Sequence, residues 1–316
     1  MAVQKLGWHR ETSPFHEGEQ RLQQRAGLSD RMEQIARRMF SQVMPDQHRE
    51  FYENLPFVII GHADDEGWPW ASMLTGRPGF MYSPDPAILE ISTTPHPGDP
   101  LADSLSVGRP VGLLGLEFAT RRRNRMNARI AETGQGSVTL KVDQAFGNCP
   151  RYIQTRAFEF VREPRTGGGD AAPETFESLD DEATAMISAA DTFFVSSYIA
   201  ARDDATIEGV DASHRGGRPG FVRVEGDTLT IPDYSGNNYF NTLGNIVLNP
   251  KAGLLFADFE NGDLLMLTGT AEIIWDGPEV TAFKGADRAW RFTLDHGRRL
   301  PDALPLRWSF GESHCV

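Results

Sequence analysis

The chain has 316 residues, enough for two domains of ordinary size or one large one. Forty per cent are apolar, with six Trp and nineteen Phe, which supplies substantial cores and excludes intrinsic disorder. With 31 Lys and Arg against 44 Asp and Glu, the net charge of −13 repels phosphate backbones and anionic lipids, so neither nucleic acid nor membrane is an expected partner. No stretch approaches the roughly 18–20 apolar residues that a span needs. The opening MAVQKLGWHRETSPFHEGEQ has no apolar core of signal-peptide type, and the expectation is a cytoplasmic protein. Cys149 and Cys315 lie far apart and outside any CxxC, which excludes a disulfide framework and a thiolate zinc site.

In chain order, the first element is a helix. Ser29 and Asp30 offer caps, Glu33 stands at capping-box spacing from Asp30, and Met32, Ile35, Ala36, Met39 and Phe40 form an apolar stripe that Pro45 ends. Arg31, Arg37 and Arg38 fall on the solvated face. The run Phe57–Ile60 then reads as a strand, followed by a turn around Gly67 and Pro69. Further strands are expected at Ile88–Ser92, Val111–Phe118, Arg125–Ala131, Val138–Val142 and Tyr152–Val161. Residues 163–173 (EPRTGGGDAAP) have linker composition. A helix carrying Leu179, Ala183, Met186, Ile187 and Ala190 follows, and strands resume at Thr192–Ile199.

The two halves repeat each other. ASMLTGRPGF at 71–80 matches ASHRGGRPGF at 212–221, an offset of 141 residues. The same offset lays Val111–Leu114 on Ala252–Leu255, Phe118 on Phe259, Asn127–Ile130 on Thr268–Ala271, and the helix-like Asp99–Ser106 on Phe240–Val247. Collinear matches at one spacing indicate a duplicated domain. The copies differ in polar content: His214 and Arg215 stand where the first copy has Met73 and Leu74. The run Arg121–Arg125 stands where the second has Gly262–Met266.

These residues resemble the pyridoxamine 5′-phosphate oxidase-like flavoproteins, the FMN-binding split-barrel superfamily. SHRGGRPGFVRVEGDTLTIPDYSGNN is similar to the family's phosphate- and flavin-contacting hairpin. A short helix, Asn249-Pro250, the GLLF strand and Gly269-Thr270-Ala271-Glu272 follow in the family's order. In the first half, Arg125–Arg129 is similar to the family's R-x-N-G-R strand, and Asn148–Ile153 to a C-terminal strand motif of smaller relatives. The resemblance implies a mainly β fold of two tandem FMN-binding split barrels with short helices. The expected division is a helical extension at 1–50, repeats at 51–165 and 174–300, and a tail at 301–316. It further implies flavin contacts at Arg215 to Val222 and at Asp233, Tyr234 and Ser235, with Asn237 and Asn238 where the oxidase proper grips phosphate with Arg-Lys. Leu264 replaces a Gln that faces the flavin, and the pyridoxal phosphate constellation has no match.

A flavin site needs a phosphate anchor, polar groups for the ribityl chain and pyrimidine edge, and a low-polarity shelf. Guanidinium groups suit the phosphate, and Gly216-Gly217 permits close backbone approach. The expected cofactor-binding set is Ser213, Arg215, Gly216, Gly217, Arg218, Asp233, Tyr234, Ser235, Asn237, Asn238, Arg123, Arg125 and Asn127, with Tyr234, Tyr239, Phe240 and Trp70 as shelf. Asn237-Asn238 reads equally well as a helix N-cap. In a strand Arg123, Arg125, Asn127 and Arg129 share one face, and the arginine cluster reads either as an anion pocket or as a solvated edge. His214 is the candidate catalytic residue, as donor to a flavin carbonyl or to substrate, with a structural hydrogen bond as the alternative. His62 with Asp64 and Asp65 lacks a second histidine at ligand spacing, so no metal is expected, and Cys149 reads as a small buried residue at a strand start.

The function expected is FMN-dependent redox chemistry on a small molecule or on NAD(P)H, with a separate electron-transfer partner and a homodimer in prospect. Two alternatives carry their own signatures. A haem-binding or haem-degrading barrel would show an axial His or Cys and a haem band, and a flavin carrier or sensor would bind cofactor without turnover.

Overall fold

The computed structural model describes residues 7–164, 172–200 and 208–310. Three helices, α1 (Glu17–Arg25), α2 (Ser29–Met39) and α3 (Asp46–Glu53), precede a sheet of β1 (Phe57–Ala63), β2 (Pro69–Thr75), β3 (Met81–Tyr82), β4 (Ile88–Ile91), β5 (Pro110–Glu117), β6 (Arg122–Gly134) and β7 (Ser137–Gly147), with α4 (Leu101–Ser104) between β4 and β5. Then come β8 (Arg156–Phe160), β9 (Glu174–Phe176) and α5 (Asp181–Ala189). The second sheet holds β10 (Thr192–Ile199), β11 (Gly209–Gly216), β12 (Arg223–Glu225), β13 (Thr228–Tyr234), α6 (Asn241–Leu248), β14 (Lys251–Ala257), β15 (Leu264–Ile274), α7 (Pro278–Thr281) and β16 (Ala286–Leu300), and β17 (Leu306–Phe310) closes the chain.

The two sheets have one topology. The first runs β2-β1-β5-β6-β7-β4-β3 and the second β11-β10-β14-β15-β16-β13-β12, the same order shifted by nine strands. Register repeats as well: Leu114 pairs with Ile59 as Leu255 pairs with Phe194. The ladder slips after Asn127 in β6 and after Thr268 in β15, so even the bulge is duplicated. The molecule is a mainly β protein of two tandem split barrels with short helices. Each barrel has its own apolar core, and a third core, with Phe57, Met73, Leu114, Phe194, Leu255 and Met266, seals the faces between them.

Backbones meet closely at that seal, at matching places on either side of a pseudo-twofold axis. Asn127 donates from Nδ2 to the Val210 carbonyl at 2.6 Å, and Thr268 donates from Oγ1 to the Pro69 carbonyl at 2.8 Å. A Cβ on Gly112 would fall on the Val210 oxygen, and one on Gly253 on the Pro69 oxygen. Glycine at both positions follows from the approach of one barrel's backbone to the other. β8 and β17 also pair across the axis, Phe158 opposite Trp308.

Of the N-terminal helices, α1 packs on the second repeat and α3 on the core of the first. α1 crosses α6 so closely that a Cβ on Gly18 would clash with the Gly244 carbonyl. Phe15, Phe40, Phe146 and Tyr239 join Trp8 in a fourth apolar cluster. Several expectations are corrected. α2 has no side-chain cap, because its N-cap is Leu28, which carries no acceptor, and Ser29 and Asp30 already lie inside the helix; Glu33 accepts from Ser13 and pairs with Arg37 instead. Met39 is exposed at the helix end while Phe40, its C-cap, is buried. Tyr152 lies in a turn at φ +65°, so the strand there begins only at Arg156, and half-buried Cys149 sits outside any strand. The linker-like stretch falls largely on 165–171, outside the described residues, as does Cys315. Among the described residues no helix is long and apolar enough to cross a membrane.

Gly112→Ala and Gly253→Ala should each cost about 1–3 kcal/mol or more in urea unfolding, because the methyl group meets a carbonyl that the seal holds in place. Gly147→Ala, whose Cβ would meet only the Asn124 Oδ1 at 3.8 Å, should stay within about 0.5 kcal/mol.

Candidate functional site

A solvent-open cleft of about 110 Å³ lies where β6 of the first repeat crosses β11 of the second. Ser213 to Gly216 of β11 and the end of β13 form its floor and one wall, and the start of α6 closes the back. The first repeat contributes Arg123, Arg125, Asn148 and Tyr152. Strand alternation turns every second residue of β6 toward the other barrel. Arg123 donates to His214 at 3.2 Å, Arg125 to Asp211 at 2.7 Å, Asn127 to Asp211 at 2.9 Å, and Arg129 to Glu208 at 3.0 Å. The shared face read from the sequence is real, and most of it is spent joining the repeats.

Behind the cleft lies a closed ring of buried polar side chains. Arg125 donates to Asp211 and, at 2.8 Å, to Asn241. Asn241 donates to Glu19 of α1, whose other oxygen accepts the His16 backbone N–H at 2.9 Å. His16 Nε2 meets Asn245 Oδ1 at 2.9 Å, and Asn245 Nδ2 returns to Asp211 at 3.1 Å. Burial lifts the Glu19 carboxyl from 4.5 to about 7, against the pull of His16 and with the repulsion of Asp211.

The electrostatics inside the cleft are uneven. Arg215 and Arg288 share Asp233, and Arg288 also approaches Asp287 at 3.6 Å. Arg123 faces no carboxylate among the described residues, and its Nε is buried without a partner. Burial, aided by Arg125 and Arg215, pulls its pKa down to about 10, which still leaves it charged at neutral pH. Burial, then Arg123, Arg156 and Arg215, hold His214 well below the ordinary histidine range. Arginine can only donate, so Nδ1 accepts and the proton of the neutral ring sits on Nε2, itself without a partner among the described residues. His214 therefore orients Arg123 and offers one N–H; as an imidazolium acid it is not available near neutrality.

The cleft gathers Ser213, His214, Arg215, Gly216, Asp233, Tyr234, Asn237, Asn238, Arg123 and Arg125. The other expected residues fall elsewhere. Gly217 packs under Phe221 and Arg218 is exposed in the turn beyond. Ser235 offers its carbonyl to Arg151 and Tyr152, and Asn127 is committed to the repeat interface. α6 starts at Asn241 with Phe240, at φ +64°, as N-cap, so Asn237 and Asn238 are not caps. Asn237 bridges to Asn148 and accepts the Tyr239 N–H at 3.1 Å. Of the four shelf candidates, Tyr234 and Phe240 face the cleft, Tyr239 packs under the N-terminal helices, and Trp70 lies in the core between the barrels. Leu264 is in that core too. Reading from sequence missed Asn241, Thr242, Arg288 and Tyr152, the last stacked on Tyr234 at 5.5 Å.

Fold and site together define the class: a duplicated split-barrel protein with one polar, arginine-lined cleft built jointly by its two repeats. Residues 179–306 match the family model described as pyridoxamine 5′-phosphate oxidase. No curated protein matches it. Among solved structures it is similar to HupZ from Group A Streptococcus, at 18% identity over 37% of this chain and 89% of that one, with a TM-score of 0.29. It is also similar to a FAD-binding protein from Mesorhizobium loti (12%, 40% and 97%, TM-score 0.26) and to HutZ, the heme storage protein from Vibrio cholerae (14%, 43% and 99%, TM-score 0.25).

Glu19 makes stability pH-dependent. With its folded pKa above the unfolded value, only the folded chain holds this proton between about pH 4.5 and 7, so stability falls as pH rises through that window and levels off above it. The full loss is about 3 kcal/mol at ~1.4 kcal/mol per pH unit. Urea unfolding of wild type and Glu19→Gln at pH 5 and pH 8 should show the difference between them moving in the variant's favour at the higher pH.

Proposed function

We propose that the cleft binds FMN and that the protein is an FMN-dependent oxidoreductase acting on a small molecule or a nicotinamide cofactor. The observation that carries this reading is Arg123: a half-buried guanidinium that no carboxylate among the described residues neutralises, aligned by a neutral histidine and set among donors on the cleft wall. The amides Asn237 and Asn238 bring no charge for a phosphate. Arg215 is tied to Asp233 and Arg218 is exposed, which leaves Arg123 to meet the dianion, with Arg215 beside it. Ser213, Thr242 and Asn237 supply short donors and acceptors for a ribityl chain, and Phe240, Pro232 and the Tyr152–Tyr234 pair supply low-polarity surface. A bound flavin would provide the two-electron chemistry. The chain's own part is to hold the anion on Arg123, which His214 orients through its Nδ1.

A visible spectrum of the purified protein, repeated on the supernatant after denaturation, tests the cofactor. Released flavin with one phosphate by mass supports the reading, and bleaching by NADH or NADPH under anaerobic conditions supports the enzyme. A Soret band would put haem in its place, and a colourless protein that fails to quench added FMN fluorescence would end the proposal. Arg123→Gln should weaken FMN at least about tenfold, the scale of a lost charged hydrogen bond, while riboflavin, which lacks the phosphate, changes little. Equal losses for both ligands would remove Arg123 as the phosphate anchor.

A further inference from the structure

The duplicated fold should present two such clefts, one on each side of the pseudo-twofold axis, and the second can be located by register. Arg123 pairs with Leu116 as Leu264 pairs with Ala257, and Arg125 with Leu114 as Met266 with Leu255. His214 pairs with Phe194 as Met73 pairs with Ile59. The positions corresponding to Arg123, Arg125, His214 and Arg215 are therefore Leu264, Met266, Met73 and Leu74, each no more than 1% exposed. Even the segments leading into the axis-crossing strands correspond. Tyr152, at φ +65°, stands four residues before β8 and stacks on Tyr234 at the mouth of the cleft. Asp302, at φ +44°, stands four residues before β17 and is held by Arg162 and Arg307.

We infer that the pair of repeats keeps one ligand site and has closed its axis-related twin, so that each chain takes one ligand. The closure is apolar: Met73, Leu264 and Met266 share a single cluster with Leu300, Leu304 and Leu306 from the end of the second repeat. Leu304 is drawn in by its N–H on the Gly262 carbonyl at 2.9 Å. Removing the arginines took away the groups that would meet an anion, and leucine and methionine filled the space they left. The polar remnant is Ser72, the counterpart of Ser213. It is fully buried and donates to buried Asp99 at 2.6 Å, whereas Ser213, 9% exposed and accepting from Thr242 at 3.0 Å, lines the cleft. The stoichiometry, though not the closure, rests on the proposed cleft being the ligand site.

Two measurements separate these statements. In a chain with Cys149 and Cys315 replaced by Ser, Ser213→Cys and Ser72→Cys are labelled with an anionic methanethiosulfonate, which the arginine-lined cleft does not repel. The expected result is at least 100-fold faster labelling at 213 than at 72. Comparable rates in a chain with the wild-type circular dichroism spectrum overturn the closure. If Ser72→Cys fails to fold, Met73→Cys against His214→Cys makes the same comparison. Titration of full-length protein with FMN, followed by fluorescence quenching, should give one site per chain, lost in Arg123→Gln. Two sites, or half the sites surviving in Arg123→Gln, overturn the single-site assignment. An absence of any FMN binding sinks the flavin reading alone, and the labelling ratio still decides the closure.

Discussion

The buried ion pair between Arg125 and Asp211 is the interaction on which the rest of the molecule leans. Each side chain comes from a different repeat, and each is about nine-tenths or more removed from solvent. Desolvating two charges costs several kcal/mol per ion, and Coulomb attraction returns it only where the remaining donors and acceptors are also matched. Here they are, by Asn241, Asn127 and Asn245, with Glu19 and His16 closing the ring from α1. Such a pair is weak as a source of stability and strong as a fixer of geometry. Any slip of one barrel against the other would strand a buried charge. The N-terminal segment is part of the same constraint, because without Glu19 the Asn241 amide has lost its acceptor.

This constraint explains how a cleft can form at the seam of two sheets. β6 and β11 approach closely enough for Asn127 to bond the Val210 carbonyl, yet further along β11 the seam opens around Arg123 and His214. The ring holds the two strands on one side of that opening. On the opposite side of the pseudo-twofold axis the same approach is made by Thr268 and Pro69, with apolar side chains following instead of arginines. Duplication inside one chain permits this divergence. A symmetric homodimer must change both sites together, whereas tandem copies change one at a time.

The duplication was legible in the sequence because GRPGF and its neighbours keep one spacing over long stretches, and register in a buried sheet tolerates few insertions. The period of two along Arg123–Arg129 was legible for the same reason. What the sequence could not show was the partner of each arginine, since Asp211, Glu208 and His214 lie roughly 80–90 residues away in the other barrel. α1 escaped reading because its buried face is polar: Glu19 and Gln23 stand there with Leu22 alone as an apolar residue, and hydrophobic periodicity is silent on such a helix. Tyr152 escaped because it reads as the start of a strand, and only tertiary contacts turn it into a left-handed residue stacked on Tyr234.

Arg123 is the unusual member of this architecture. The arginines beside it at the seam, Arg125, Arg129 and Arg215, are each answered by a carboxylate, and an arginine left half-buried beside two further guanidinium groups raises the free energy of the empty protein. Its one side-chain partner among the described residues is a histidine that burial, and then the same positive field, keeps neutral, so the pair is self-consistent: His214 remains an acceptor. An anion entering the cleft would find the guanidinium oriented and partly removed from water, and would lower the energy that this partial burial raised. Preorganisation of this kind is how binding sites spend stability, and the sealed twin across the axis, with leucine and methionine at the positions of Arg123, Arg125, His214 and Arg215, shows what the same backbone does when those positions meet no anion.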